Sequence, residues 1–247
     1  PAAIGFPVYN EEHDLPKPAN SYGIAGWMAG GDEVVLYDKY DMWVIDLTGR
    51  KTPYSLTNGW GRENNTVLRI LKSDYDSKRI DPKRNMLLET VNTETLDQGV
   101  YEWSPSQKLR KLMEGPYALN FRAVSQDKKY CMFIRQSYSE FRDIWWSKTD
   151  FVNPVKITEA NPQQKDYRWG SVKLVEWVNY EGKRNRGLLY LPDDYDSSKT
   201  YPVIVNFYET HTGELHISPL PTLSSAMINT VTYVSNGYVV FMPDVHF

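Results

Sequence analysis

Three stretches of the chain repeat one pattern, in which a strand, a short polar turn and a second strand follow each other. They are GGDEVVLYDKYDMWVIDL (30–47), KRNMLLETVNTETLDQGVYEWS (83–104) and KKYCMFIRQSYSEFRDIWWSK (128–148). Alternating apolar residues, many of them β-branched or aromatic, predict strands. The second strands open at Asp41, Gly99 and Asp143, which gives spacings of 58 and 44 residues, near the length expected of β-propeller blades.

A further short run after each pair strengthens this interpretation. The three runs are TPYSLTNG (52–59), LRKLMEGP (109–116) and VKITEANP (155–162), and each would form the outer strand of a blade. A β-sandwich with similar hairpins remains an alternative. A propeller needs at least about four blades, so three units would be an incomplete one, and we expect further blades before residue 1. The prediction for 1–168 is therefore the C-terminal blades of a β-propeller.

The sequence changes its pattern at about residue 169. A hairpin is predicted around YEGKRNRG (180–187), followed by an almost wholly apolar strand over 203–208, a run typical of strands buried on both faces. Apolar residues at helical spacing within 221–237, ending at Asn236-Gly237, predict a helix. The run YVVFMPD (238–244) predicts another strand. Because strand, helix and strand form a βαβ unit, 169–247 should begin a parallel α/β sheet.

Composition excludes several classes of partner. The net charge is −3, with 28 basic and 31 acidic residues interleaved along the chain, so neither a nucleic-acid nor a membrane partner is predicted. The one cysteine, Cys131, rules out an internal disulfide and lies in a strand-like run, where a small core residue is expected. No metal and no cofactor is predicted.

Candidate functional residues follow the two predicted parallel strands. Tyr208, Glu209, Thr210 and His211 follow the first strand, and Asp244 and His246 follow the second. The carboxyl ends of such strands are where open α/β sheets place their functional loops. The chain contains no G-x-S-x-G sequence, so no nucleophile elbow is present to expose a serine.

The histidines leave a metal site open as an alternative. His211 and His216 lie five residues apart, near Glu209 and Glu214. A zinc site needs three or four converging ligands, and the simpler interpretation is that both are surface-loop histidines. His246 does not fit a hydrolase triad, because the histidine follows the serine and the acid in that fold.

The segment WGSVKLVEWVNYEGKRNRGLLYLPDDYDSSKTYPVIVNFYET (169–210), together with YVSNGYVVFMPD (233–244) and the preceding blade-like region, resembles the prolyl oligopeptidase family of serine peptidases. It is most similar to members of the dipeptidyl-peptidase-IV type. The resemblance is weak over 1–168 and more specific over 169–247. It implies a fold that is mostly β, with about three blades of a partial propeller followed by the first strands of an α/β-hydrolase domain.

The resemblance also implies a role for Tyr208. In that family, a tyrosine at the end of the matching strand lends its hydroxyl to the oxyanion hole. Glu209, beside it, is a candidate substrate-binding residue. The catalytic Ser, Asp and His of the family would lie beyond Phe247, so the chain alone should be inactive.

The resemblance implies that this chain is part of a longer protein, the parent. The implied partners are a peptide substrate, the remainder of the same polypeptide and, for the full-length parent, a second copy in a homodimer. The compartment is open: periplasmic or secreted if the parent carries a signal peptide, and otherwise cytoplasmic. Two rival functions also stay open, a non-catalytic β-rich module that binds peptide or glycan, and a metal-assisted hydrolase using His211 and His216.

Overall fold

The computed structural model describes residues 3–71, 79–106, 108–220 and 228–245. The chain divides into two compact units, of which the first holds 1–133 and 146–155 and the second holds 134–145 and 156–247. No helix among these residues has the length and apolar character that a bilayer crossing requires.

The first sheet is an antiparallel meander built from the first predicted repeat. Its strands are β1 (Ile24–Met28), β2 (Glu33–Tyr37), β3 (Met42–Asp46) and β4 (Tyr54–Ser55). Each pairs with the next. A short helix, α1 (Trp60–Glu63), follows. The strand–turn–strand prediction for 30–47 and the outer strand predicted within 52–59 are confirmed.

The second sheet repeats this arrangement. It contains β5 (Thr66–Ile70), β7 (Met86–Asn92), β8 (Gln98–Ser104) and β9 (Lys108–Gly115), in that spatial order. The short strand β6 (Arg79–Ile80) instead pairs in parallel with β1 and extends the first sheet. One apolar core joins these strands, and Trp103 reaches across it to donate its indole N–H to Leu56 O at 2.9 Å.

The third sheet follows the same order of strands. It contains β10 (Ala118–Val124), β11 (Tyr130–Gln136), β12 (Asp143–Lys148) and β13 (Val155–Lys156). Cys131 lies within β11 and is 2% exposed, as predicted for a small core residue. The three sheets have the blade-like order predicted from the repeats.

Two of the three blade-like sheets share a side-chain latch. Asp41, just before β3, accepts hydrogen bonds from Thr57 Oγ1 (2.5 Å) and Gly61 N (3.0 Å). Asp143, which begins β12, accepts hydrogen bonds from Thr158 Oγ1 (2.7 Å) and Ala160 N (2.8 Å). Each carboxylate thereby ties the start of one strand to the segment that follows the outer strand. Gly99 occupies this position in the second sheet and has no carboxylate.

The fourth sheet belongs to the second unit and is mixed. It contains β14 (Ser171–Val178), β15 (Arg184–Leu191), β16 (Val203–Val205) and β17 (Val239–Pro243). The spatial order is β14-β15-β17-β16, with β16 and β17 parallel and the other pairs antiparallel. The predicted hairpin and the predicted parallel strand pair are confirmed. A 3₁₀ turn, Pro162–Asp166, precedes this sheet.

Trp169 and Gly170 lead into this sheet through a close-packed corner. The Trp169 indole N–H donates to Tyr138 O, and Tyr138 Oη donates to Trp169 O. Gly170 has a φ of +75°, and a Cβ there would lie 2.5 Å from Leu191 O. Only glycine fits such a position.

The strand predicted over 203–208 is shorter and more exposed than expected. β16 has three residues, and Val203 and Val205 are 57% and 52% exposed. The expectation of burial on both faces was wrong. The strand lies at the edge of the fourth sheet, and no element in the described part of the chain covers that face.

The helix predicted within 221–237 is present as α2 (Thr230–Ser235), with a second 3₁₀ turn, Thr212–Glu214, earlier in the chain. Asn229 caps α2 by accepting a hydrogen bond from Thr232 N, so the helix begins after Asn229. It ends at Ser235, with Asn236 as the C-cap before Gly237, whose φ is +80°, as the predicted stop requires. The predicted helical positions in 221–227 lie outside the described residues.

Candidate functional site

Tyr208 lies in the loop that follows β16. Asn206 N still donates to Phe241 O at 2.9 Å, which extends the pairing with β17 by one residue. Tyr208 comes two residues later and is 72% exposed, and no described residue makes a hydrogen bond to its hydroxyl. Its side chain is therefore not packed at the end of the strand, and the described residues leave its phenol O–H available to a ligand.

Glu209 holds an unusual backbone conformation beside Tyr208. Its φ is +54°, which a residue with a side chain adopts at a cost of ~1–3 kcal/mol. Its carbonyl oxygen accepts a hydrogen bond from Val245 N at 2.8 Å. The side chain of Glu209 is exposed. The backbone of the loop is thus constrained on both sides of Tyr208.

Asp244, directly after β17, ties down the rest of this loop. It is 7% exposed, and Oδ1 accepts hydrogen bonds from His211 N (2.5 Å) and Thr212 N (3.0 Å). Its Oδ2 accepts a hydrogen bond from Thr212 Oγ1 at 2.6 Å. A buried carboxylate is tolerated because both oxygens are hydrogen-bonded.

The far end of the same loop is held by side chains that sequence reasoning missed. Ser218 N donates to Gln136 Oε1 at 3.1 Å, and Arg142 Nη2 donates to Ser218 O at 3.2 Å. Gln136 and Arg142 flank the turn between β11 and β12, 82 and 76 residues from Ser218. No local pattern in the sequence signals contacts at such separations.

The histidines do not form the alternative metal site in the described residues. His211 is 7% exposed, so the expectation of a surface-loop histidine was wrong for it. The loop folds inward there because Asp244 draws the backbone of residues 211 and 212 against the end of β17. His211 Nδ1 lies 3.9 Å from Glu214 Oε2. Within the ranges described, no three His, Cys, Asp or Glu side chains converge to hold a metal ion, and His246 lies outside them.

A cavity of about 480 Å³ lies elsewhere in the second unit. Tyr167, Trp169, Asn229 and Thr232 are among its lining residues, and Tyr208 is not. The predicted site residues and this cavity are therefore separate features of the molecule.

Solved structures share this arrangement of blades and strands. Dipeptidyl peptidase 4 from Porphyromonas gingivalis matches with a TM-score of 0.62 at 15% sequence identity, over 89% of this chain and 30% of that chain. The chain has the fold of one part of a dipeptidyl peptidase. A candidate dipeptidyl aminopeptidase IV from Bacteroides ovatus matches with a TM-score of 0.60 at 15% identity, over 95% of this chain and 34% of that one.

A post-proline cleaving enzyme from Rickettsia typhi matches with a TM-score of 0.56 at 10% identity, over 93% of this chain and 33% of that one. No protein-family model and no curated protein matches the sequence. The chain spans about a third of the length of the solved structures. The predicted mostly β fold, with part of a propeller followed by the first strands of a hydrolase domain, is confirmed.

Proposed function

We propose that this chain is part of a serine peptidase of the prolyl oligopeptidase family. The parent would hydrolyse peptide bonds in short peptides by acyl-enzyme chemistry, releasing dipeptides or oligopeptides, with cleavage after proline as the expected preference. Residues 1–168 would be the last blades of its propeller and residues 169–247 the start of its peptidase domain. Without the nucleophile, the chain alone would be inactive.

The observation that carries the proposal is the exposed Tyr208 hydroxyl on a constrained loop after a parallel strand. In the parent, a serine from outside this chain would attack the peptide carbonyl, and a histidine would take up its proton. The carbonyl oxygen would become an oxyanion, and Tyr208 Oη would donate a hydrogen bond to it. One such donor lowers the barrier by about 3 kcal/mol.

Glu209 is proposed to bind substrate. Its exposed carboxylate, next to Tyr208, would attract a positively charged amino group of the peptide. We expect Glu209→Gln in the parent to raise KM and to leave kcat nearly unchanged, because this contact would be the same in the ground and transition states. Steady-state kinetics with an unblocked and an N-acetylated peptide would measure the effect, and an equal KM change for both peptides would contradict it.

The first test of the proposal is the gene beyond Phe247. We expect the reading frame to continue into a G-x-S-x-G sequence within about 100 residues. The full-length protein should then react with a serine-directed fluorophosphonate and cleave a chromogenic Xaa-Pro substrate. A stop codon directly after Phe247, or a full-length protein without either reactivity, would contradict the proposal.

The second candidate is a non-catalytic module for peptide or glycan. It is favoured by the rings of Tyr130 and Trp146, which stack at a centroid distance of 5.6 Å and are 39% and 37% exposed. Exposed aromatic faces of this kind can hold a sugar ring or a peptide side chain. Binding of a glycan or peptide that Trp146→Ala abolishes, together with a stop codon after Phe247, would favour this candidate.

A further inference from the structure

We propose that Asp244 is a positioning residue for catalysis, which acts by holding the loop that presents Tyr208. This inference rests on the proposed function, because it concerns how Tyr208 would be aimed at the oxyanion. It adds a residue that neither touches the substrate nor belongs to the catalytic triad.

Two hydrogen bonds to one strand end bracket Tyr208. Asn206 N donates to Phe241 O before it, and Val245 N donates to Glu209 O after it. Phe241 lies in β17 and Val245 two residues after its end, so the position of Tyr208 is set by β17 as much as by β16. The side chain itself has no described partner and is 72% exposed. Its direction therefore depends on the backbone of the loop.

That backbone is under strain. The φ of +54° at Glu209 is a left-handed conformation that is unfavourable for a residue with a side chain, and its cost is at least as large as the net contribution of one backbone hydrogen bond. The bond from Val245 alone is therefore marginal for holding the loop in this conformation. Further contacts must keep the residues after Glu209 in place.

Asp244 supplies those contacts. It accepts three hydrogen bonds, from His211 N, Thr212 N and Thr212 Oγ1, in a position only 7% exposed. Hydrogen bonds to a charged acceptor are about twice as strong as neutral ones. The carboxylate thereby fixes the loop three and four residues after Tyr208 and counters the relaxation of Glu209.

The test is a double-mutant cycle in the full-length protein. We expect Asp244→Asn to lower kcat about tenfold with KM changed less than about threefold. The orientation of the Tyr208 hydroxyl matters mainly in the transition state, where the oxyanion forms. In the Tyr208→Phe background the same substitution should lower kcat less than about twofold, since no hydroxyl remains to be aimed. Thr212→Val removes one of the three bonds and should give a smaller loss of the same kind.

Asp196→Asn is the matched control. Asp196 also caps local backbone, accepting hydrogen bonds from Ser198 N and Ser198 Oγ, but it lies in an exposed turn of the same unit. Its replacement should leave kcat and KM unchanged. Thermal unfolding of every variant shows whether the protein is folded, and Thr212→Val keeps the test available if Asp244→Asn does not fold.

Two failures are distinguishable. If the wild-type full-length protein has no peptidase activity and no reactive serine, the proposed function fails and the inference fails with it. If the wild type is active and Asp244→Asn lowers kcat equally with Tyr208 and with Phe at position 208, Asp244 does not act through Tyr208, and the inference alone is overturned.

Discussion

Tyr208 and Cys131 have opposite burial, which limits the roles that each can take. Both belong to strand-like runs in the sequence. Tyr208 is 72% exposed after its strand has ended, while Cys131 is 2% exposed within β11. A polar hydroxyl in solvent can serve a ligand, whereas a buried thiol serves packing.

The proposed role of Tyr208 leads to a kinetic prediction. In the full-length protein, Tyr208→Phe should lower kcat about one hundred-fold or more and leave KM nearly unchanged, because the lost hydrogen bond forms mainly in the transition state. Steady-state kinetics on a short peptide would measure both constants. Tyr201→Phe is the matched control, because it also removes one phenol hydroxyl, here from a ring that packs at 5.2 Å from the ring of Tyr195. This variant should keep the kcat of the wild type. A kcat of the Tyr208 variant equal to that of the wild type would overturn the assignment.

Cys131 should be unreactive in the folded protein. Burial raises its pKa from 9.0 to about 11, so the reactive thiolate is scarce at pH 8. We expect alkylation of Cys131 by iodoacetamide to be at least ~100-fold slower in the native protein than in urea. Peptide mass spectrometry after timed quenching measures this rate. Equal rates in both states would show that β11 is open to solvent.

At the scale of secondary-structure elements, the latches of Asp41 and Asp143 connect strands within their sheets. In both sheets a carboxylate at the start of the third strand accepts a hydrogen bond from a threonine two residues after the fourth strand. Asp143 also pairs with Lys156 Nζ at 2.7 Å. The latch closes each of these two sheets at one end, where an outer strand of only two residues gives little pairing.

Asp143→Asn should therefore destabilise the protein. Burial favours the neutral carboxyl, but the hydrogen bonds from Lys156, Thr158 and Ala160 outweigh it and lower the pKa of Asp143 below its ordinary value. The stabilisation is present above the ordinary pKa and is lost as the pH falls through the lowered one. We expect a loss of about 1–3 kcal/mol at pH 7 that shrinks below about pH 4, measured by urea unfolding.

Asp127→Asn is the control for that prediction. Asp127 accepts hydrogen bonds from Ser125 Oγ and Lys129 N in an exposed turn, so its replacement should leave the free energy of unfolding nearly unchanged. Equal effects of the two substitutions would show that the latch adds nothing beyond a surface turn.

At the scale of the whole molecule, the edge of the fourth sheet is apolar and open. Val203, Val205 and Phe207 are 57%, 52% and 64% exposed. An exposed edge strand of this kind pairs readily with other chains. In the proposed parent, further elements of the peptidase domain would cover it.

We therefore expect the 247-residue chain, expressed alone, to aggregate. Size-exclusion chromatography with light scattering would detect this. Val203→Lys combined with Val205→Lys should increase the soluble fraction, because charged residues on an edge oppose pairing. A monodisperse, cooperatively unfolding monomer of the unmodified chain would show that the proposed boundaries of the domains are wrong.

Much of the fold was predictable from local patterns. Alternating residues around Asp41-Met42-Trp43 and Asp143-Ile144-Trp145 predicted the paired strands, and Asn236-Gly237 predicted the end of α2. These features depend on neighbouring residues. Side chains alternate between the two faces of a strand every residue, and a residue able to adopt positive φ ends a helix locally. The start of α2 was not predictable in the same way, because the cap at Asn229 competes with a continuing helical pattern.

The candidate site was predictable only in part. The order of apolar runs placed Tyr208, Glu209 and Asp244 after neighbouring parallel strands, and their roles stay predictions. Other contacts of the loop join distant residues. His211 binds Asp244 across 33 positions, and Ser218 binds Gln136 and Arg142 across 82 and 76 positions. Contacts at such separations depend on how strands are ordered in space.

The sequence by itself determined the paired strands of the three repeats, their turns and the position of Tyr208 after a parallel strand, because each depends on residues close together in the chain. Only the tertiary structure decided that the Tyr208 side chain is exposed and that Asp244 holds its loop through hydrogen bonds. Burial and hydrogen bonding between distant segments exist only after the sheet has formed, when the ends of β16 and β17 lie side by side.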